Sequence, residues 1–308
     1  MKRKTKRKTR RRRRRKTRKR RKRRKRRIKK WKPRICAISS KKINEDTCYS
    51  GSSLYKMRDL WNKRHPDSKI KTNNIREIWQ QLKFFMRNTC SAESCWLRQN
   101  FMKNKLDKEM NDFTFAPDAP EEWKKKPTEW LTSVDFIKIM KQYEKKYKCF
   151  QFIGPTPIDY DKHLSHGECV WEELCKFDLE KTMKRGITKI GVVFNTDPHD
   201  KEGAHWVALF VNIKKREIYF FDSYGERTSK FVNRFAKEKI IKQGKPLGLD
   251  FDYMKNKKRH QYRASECGMY CIYFIIQMLT TNKSFEDFSM NKIEDKKMIR
   301  LRKKYFNQ

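Results

Sequence analysis

The sequence has no acidic residue before Glu45, and this absence divides the chain. Glycine and proline are sparse, 10 and 9 of 308 residues, which excludes collagen-like repeats and Gly/Pro-rich low-complexity chains. No run approaches the roughly 18 apolar residues that span a bilayer, and the most apolar stretch, 267–279, is about one core helix long. The amino terminus lacks the apolar segment of a secretory signal, so export is not expected. Nine cysteines at irregular spacing argue against a disulfide framework and for a reducing compartment in which a reactive thiol stays free.

What is present falls into two parts. The net charge is +44, and the first 34 residues hold 27 Lys+Arg, leaving 53 bases against 36 acids, or +17, on the other 274. Self-repulsion and the lack of apolar side chains forbid a packed core in 1–34, so a disordered polybasic arm is expected. Such an arm releases counterions from phosphates, which implies salt-sensitive, sequence-independent binding of nucleic acid. Trp31 is its one aromatic residue able to stack on a base. The rest is long enough for one large domain or two small ones, which excludes wholesale disorder.

Residues 35–128 read as linker and a small helical region. Ser53 is a candidate cap for a helix carrying Leu54, Met57, Leu60 and Trp61, and Asn74 for one carrying Ile75, Ile78, Trp79, Leu82, Phe85 and Met86. Pro117, Pro120 and Pro127 mark a boundary, after which 129–308 forms the larger unit. There Thr132 or Ser133 caps a helix, and the period then changes to that of strands at 188–195, 205–213 and 216–222. A helix at about 228–242, a short strand at 249–254 and a buried helix from Cys267 complete an α+β fold.

Packing alone leaves His205, Asp222, Gln261 and Cys267 unexplained. A cysteine at a helix start feels the positive end of the macrodipole, and an imidazole that takes its proton leaves the thiolate that attacks carbonyl carbon. His205 is the expected base, and Asp222, at the end of the next strand, would orient its ring. Gln261 and the Cys267 backbone N–H would hold an oxyanion.

Gly203-Ala-His-Trp-Val-Ala-Leu-Phe, Phe220-Phe-Asp-Ser-Tyr-Gly and Gln261-Tyr-Arg-Ala-Ser-Glu-Cys-Gly-Met-Tyr-Cys resemble the Ulp1/SENP and adenovirus-protease class of cysteine peptidases over about residues 129–281. With the helical extension and Phe194-Asn-Thr-Asp-Pro-His, the chain looks most like the virion core proteases of large cytoplasmic DNA viruses. The resemblance implies a papain-like, Ulp1-like domain with a central mixed sheet, and a thiol endopeptidase that processes core precursors at Gly-Gly-type sites. It makes Cys267 the nucleophile, His205 the base, Asp222 the orienting acid and Gln261 the oxyanion donor. It also implies that Trp206 and Trp130 flank a narrow tunnel that admits glycine before the cut. Glu266 stands where cellular enzymes of the class usually carry Asp.

Rival assignments are weaker. Cys271 lies one turn beyond Cys267 inside the apolar run, with no Gln at the matching distance. His163, His166, Cys169 and Cys175 have loosely zinc-like spacing, but the region lacks a Cys-x2-Cys pair and reads on as helix, so no metal is expected. His199 and His260 read as surface residues. Neither a phosphate-binding loop nor a paired catalytic carboxylate stands out, and no cofactor is expected. The expected substrate is a viral structural precursor, the expected state a monomer, and the expected location the virion assembled in host cytoplasm, with the nucleus as the alternative. A ubiquitin-like-modifier isopeptidase and an inert nucleic-acid-condensing scaffold are the competing functions.

Overall fold

The computed structural model describes residues 31–40, 46–102, 105, 108–281 and 284–308. The expectations for residues 1–30, their disorder and their hold on nucleic acid, lie outside the described residues.

The chain forms two compact units, one taking the described residues of 1–34 and 41–111, the other 35–40 and 112–308. In the first, helix α1 (Gly51–Arg64) is capped by Ser50, which accepts from the Ser53 N–H at 3.1 Å. The expected cap was Ser53; its own hydroxyl instead meets that of Ser50. Helix α2 (Ile75–Met86) starts at Asn74, whose side chain accepts from Arg76 and Glu77 N–H groups. The aromatic stripes pack on each other, Trp61 stacking on Phe85 at 5.1 Å and Tyr49 on Trp96 at 5.7 Å.

The second unit is built on a five-stranded mixed sheet in the order β1-β2-β3-β4-β5. Helix α3 (Ser133–Lys146) opens at Thr132, whose N–H and hydroxyl both donate to Asp135. It leads into β1 (Phe150–Pro157), a strand the sequence reading did not find. Gly154, Pro155 and Pro157 are breakers elsewhere but are tolerated on an edge strand such as this. Two short helices, α4 (Glu172–Cys175) and α5 (Leu179–Lys184), precede β2 (Lys189–Asn195), which pairs parallel with β1. Strands β3 (Trp206–Asn212) and β4 (Glu217–Phe221) add antiparallel neighbours. Helix α6 (Lys230–Arg234) and its continuation lead to β5 (Asp252–Lys255), parallel to β4.

Alternation along β3 decides the layers. Trp206, Ala208 and Phe210 face a core shared with α3 and with α7 (Cys267–Thr280), while Val207, Leu209 and Val211 face a second core containing Leu179, Val232 and Phe235. The sheet is thus covered on both faces, which is why its central strands read as continuous apolar runs. Helix α8 (Asp295–Tyr305) packs against α7.

The cysteines correct one expectation. Cys90–Cys95 and Cys169–Cys175 are disulfides, and Cys36 and Cys48 are also disulfide-bonded; Cys149, Cys267 and Cys271 are free. Odd number and irregular spacing could not show which thiols the fold brings together.

Candidate active site

His205 stands just before β3 and Asp222 just after β4, so antiparallel pairing of these strands brings the two side chains together. The His205 Nε2–H donates to Asp222 Oδ1 at 2.6 Å. The carboxylate is held in turn by the backbone, accepting from Tyr224 N–H at 2.9 Å on Oδ1 and from Glu226 N–H at 3.1 Å on Oδ2. Asn256 clamps the Asp222 backbone, accepting its N–H at 2.8 Å and donating to its carbonyl at 2.7 Å. The Tyr224 ring stacks on the imidazole with centroids 4.5 Å apart.

Cys267 is the first residue of α7 and is buried. Its neighbour Gly268 is closely packed: a Cβ there would meet Leu131 and Phe136 atoms at 3.1–3.2 Å, so those side chains would have to give way. His205 Nδ1 is buried without a hydrogen-bond partner, and Cys267 is near enough to act on the charge of the ring. Burial alone would lower the imidazole pKa, but hydrogen bonding and charge from Asp222 and Cys267 outweigh it and push His205 up to about 9. The ring is therefore held as imidazolium near neutral pH.

Gln261 is fully buried. Its Oε1 accepts from the Ser223 hydroxyl at 2.7 Å, while Nε2 donates to the Arg263 carbonyl and reaches the Tyr224 hydroxyl only at 3.4 Å. The long second contact leaves one amide hydrogen weakly engaged beside the imidazole's stacking partner. Both the His260 and Gln261 backbone N–H groups donate to the Ser223 carbonyl, tying this segment to the turn that carries Asp222.

Sequence reasoning missed Arg302. Its Nε donates to Glu266 Oε2 at 2.9 Å in an ion pair whose two side chains are 1% and 0% exposed. Its remaining nitrogens donate to the carbonyls of Ser265, Thr128 and Glu129, and its guanidinium lies 4.4 Å from the Trp123 ring. One side chain on α8 thus fastens the residue before Cys267 to the segment before Trp130. The unusual Glu266 was the available signal, but nothing in the sequence connects it with a residue 36 positions away.

Trp130 and Trp206 both line a cleft of about 620 Å³, with Leu131, Pro155, Trp171 and Gly203 among its other walls. Trp206 leans on Phe136 with centroids 5.2 Å apart. His199 is exposed, as expected, on the rim of this cleft and is bonded through Nδ1 to Asp159 Oδ2 at 2.7 Å. His260, by contrast, is not the surface residue expected: it is fully buried, accepts from Ile293 N–H at 3.1 Å and packs on Phe221. Cys271 sits in the core, where burial pushes its thiol pKa well up and keeps it protonated. Among the described residues, no helix is long and apolar enough to cross a membrane.

Comparison with known proteins agrees with this architecture. Residues 187–308 match the model of the Ulp1 protease family, C-terminal catalytic domain. A protein of Acanthamoeba polyphaga mimivirus named as a thiol protease is 30% identical over 291 residues, covering 88% of this chain and 93% of the relative. A protein of African swine fever virus named as a SUMO-1 cysteine protease is 25% identical over 256 residues, 75% of this chain and 89% of its own. The crystal structure of an African swine fever virus protease superposes with a TM-score of 0.64 at 22% identity, covering 90% of this chain and 96% of that one, and establishes the shared fold.

Proposed function

We propose that this chain, which belongs to the Ulp1 family of cysteine proteases, cleaves structural precursor proteins at Gly-Gly-type sites during virion maturation. Cys267 attacks the scissile carbonyl as thiolate, His205 gives its proton to the leaving amine, and a water activated by His205 then hydrolyses the thioester. Asp222 keeps the ring oriented, and the Cys267 N–H with the Gln261 amide stabilises the oxyanion, a contribution of about 3–4 kcal/mol in comparable sites. The observation that carries the proposal is the buried His205, bonded to Asp222 at 2.6 Å through Nε2 and raised in pKa in part by Cys267, which stands at the start of a helix. Glycine selectivity is the reading of Trp130 and Trp206 as walls of one cleft, because large flat side chains leave no room for a Cβ.

An electrophilic peptide ending in Gly-Gly tests the assignment. Covalent labelling located at Cys267 by mass spectrometry, and lost in His205→Ala, is the expected result; a folded protein left unlabelled would overturn it. The name of the swine fever virus relative favours a second reading, removal of a ubiquitin-like modifier. A probe bearing a ubiquitin-like C-terminus that labels Cys267 far faster than a viral junction peptide would favour it over precursor processing.

The arm at 1–34 is read as a non-specific tether to packaged nucleic acid, consistent with action inside the virion rather than the nucleus. Its deletion should abolish salt-sensitive binding and spare peptide hydrolysis. Equal loss of hydrolysis would make the arm part of the working enzyme.

A further inference from the structure

We propose that His163, Cys169 and Cys175 form, in the reduced protein, a binding site for a soft divalent cation, zinc foremost. None of the three takes part in the chemistry above.

The local backbone builds the site. Leu164 N–H donates to the Glu168 carbonyl at 2.7 Å and Val170 N–H to the Lys162 carbonyl at 2.9 Å, so residues 162–170 form a hairpin rather than the expected helix. Between those two bonds, His163 and Cys169 face each other as an antiparallel bridge, the arrangement that brings cross-strand side chains closest. Gly167, at φ +81°, supplies the left-handed residue that the turn requires. Cys175 arrives from the last position of α4.

The metal-binding atoms of the three side chains all lie within 4.8 Å of one another. His163 Nε2 is 3.7 Å from Cys169 Sγ. Two ligands on a tetrahedral zinc, with Zn–S near 2.3 Å and Zn–N near 2.0–2.1 Å, stand about 3.5 Å apart, so His163 and Cys169 are already spaced to share the ion, and on reduction the two sulfurs, now covalently joined, must draw apart to that spacing. Two thiolates and an imidazole are a donor set that selects zinc over magnesium or calcium. The fourth position falls to water or to His166, which is exposed on the same turn.

The structure joins Cys169 to Cys175 as a disulfide, so the ligand set becomes available on reduction. A dithiol reductant supplies two electrons and two protons, becoming a disulfide itself, and leaves two thiols on the protein. Metal binding then displaces two protons as the thiolates ligate. Disulfide and metal are therefore alternative staples of one hairpin. That hairpin supplies Leu164 and Val170, and the adjoining residue Trp171, to the cleft shared with Trp130 and Trp206. Loss of both staples frees a wall of the cleft, a consequence that rests on reading the cleft as the substrate site, whereas metal binding itself does not.

The test uses the full chain carrying Cys267→Ala, which removes the competing His205–Cys267 thiolate, reduced with dithiothreitol and desalted without oxygen. Titrated Co²⁺ should give a thiolate-to-metal charge-transfer band that saturates at one ion per chain and is discharged by Zn²⁺. Zinc should also protect Cys169 and Cys175 from alkylation, read residue by residue by mass spectrometry. Cys169→Ser should lose the band, and His163→Ala, at an exposed hairpin position that leaves both thiols in place, should weaken binding at least about tenfold. A band no stronger than that of Cys169→Ser, or alkylation of both cysteines undiminished by zinc, would overturn the site. In the active chain, adding a chelator under reducing conditions should raise KM for a Gly-Gly peptide severalfold with little change in kcat. An unchanged KM in a chain that binds the metal would overturn the role in the cleft alone.

Discussion

Two histidine–aspartate pairs stand in the second unit with nearly equal bond lengths, His205–Asp222 at 2.6 Å and His199–Asp159 at 2.7 Å. Their surroundings differ. His205 is buried just before β3, beneath Tyr224 and within the influence of a cysteine that begins a helix. His199 is exposed on the cleft rim, and the Asp159 carboxylate also accepts its backbone N–H at 2.9 Å, which makes the pair a brace for the loop. A carboxylate on an imidazole orients it in both places; a buried ring whose other nitrogen is left unbonded near a cysteine, shielded from water, is what can make a general base of one.

The sharpest break of this comparison is chemical. Cys267→Ser should lower kcat/KM at least about 10⁴-fold with the fold intact, because residues of such a unit fail together. Wild-type turnover in that variant, measured with a Gly-Gly peptide, would remove the distinction between the two pairs. Next is the scaffold beneath the first pair. Arg302→Met leaves Glu266 charged and buried and should cost about 3–5 kcal/mol in denaturant unfolding, with Glu266→Gln/Arg302→Met recovering part of that loss.

The third is a matter of pH. Because His205 is raised to about 9 by its neighbours, kcat/KM should fall about tenfold per unit above that pH as the imidazolium loses its proton. The sign for stability follows the same shift. The contribution is complete below the ordinary histidine value of about 6.5 and is lost as pH rises through about 9, so thermal unfolding of wild type and His205→Ala should converge at alkaline pH. A flat rate profile to pH 10 would contradict the ion pair.

Smaller effects belong to the cleft. Trp206→Ala should reduce discrimination between glycine and alanine before the cut, a difference of one methyl worth about 10–200-fold at most, and unchanged selectivity would separate Trp206 from the substrate. His199→Gln should leave kcat within about twofold and confine any loss to KM. A collapse of kcat there would place the second pair in the reaction.

The sequence made these candidates visible to different degrees. The helix at Asn74, the strands around His205 and Asp222 and the helix from Cys267 each followed from a local period and a capping or turn residue, because those signals act within a few positions. Strand β1 escaped because Gly154, Pro155 and Pro157 break the pattern that an edge strand can tolerate. His260 read as a surface residue because its neighbours Lys257, Lys258 and Arg259 are polar, yet its ring is fully buried on Phe221. The cysteine pairs and the hairpin at 162–170 were hidden for another reason: a short polar stretch with one glycine carries no period at all.

By itself, the sequence determined that the chain carries a separate block of positive charge, that its body has an apolar core, and that His205, Asp222, Gln261 and Cys267 occur in the order and spacing of one peptidase class. These are properties of composition, local period and motif, which survive without knowledge of distant contacts. Only the tertiary structure decided that Arg302 neutralises Glu266 beneath Cys267, that Trp130 and Trp206 share one cleft, and that His163, Cys169 and Cys175 converge. The first two join residues far apart in the chain and the third depends on a turn without a repeat. Burial and ion pairing are set by whatever the fold brings together, and one side chain does not announce its partner.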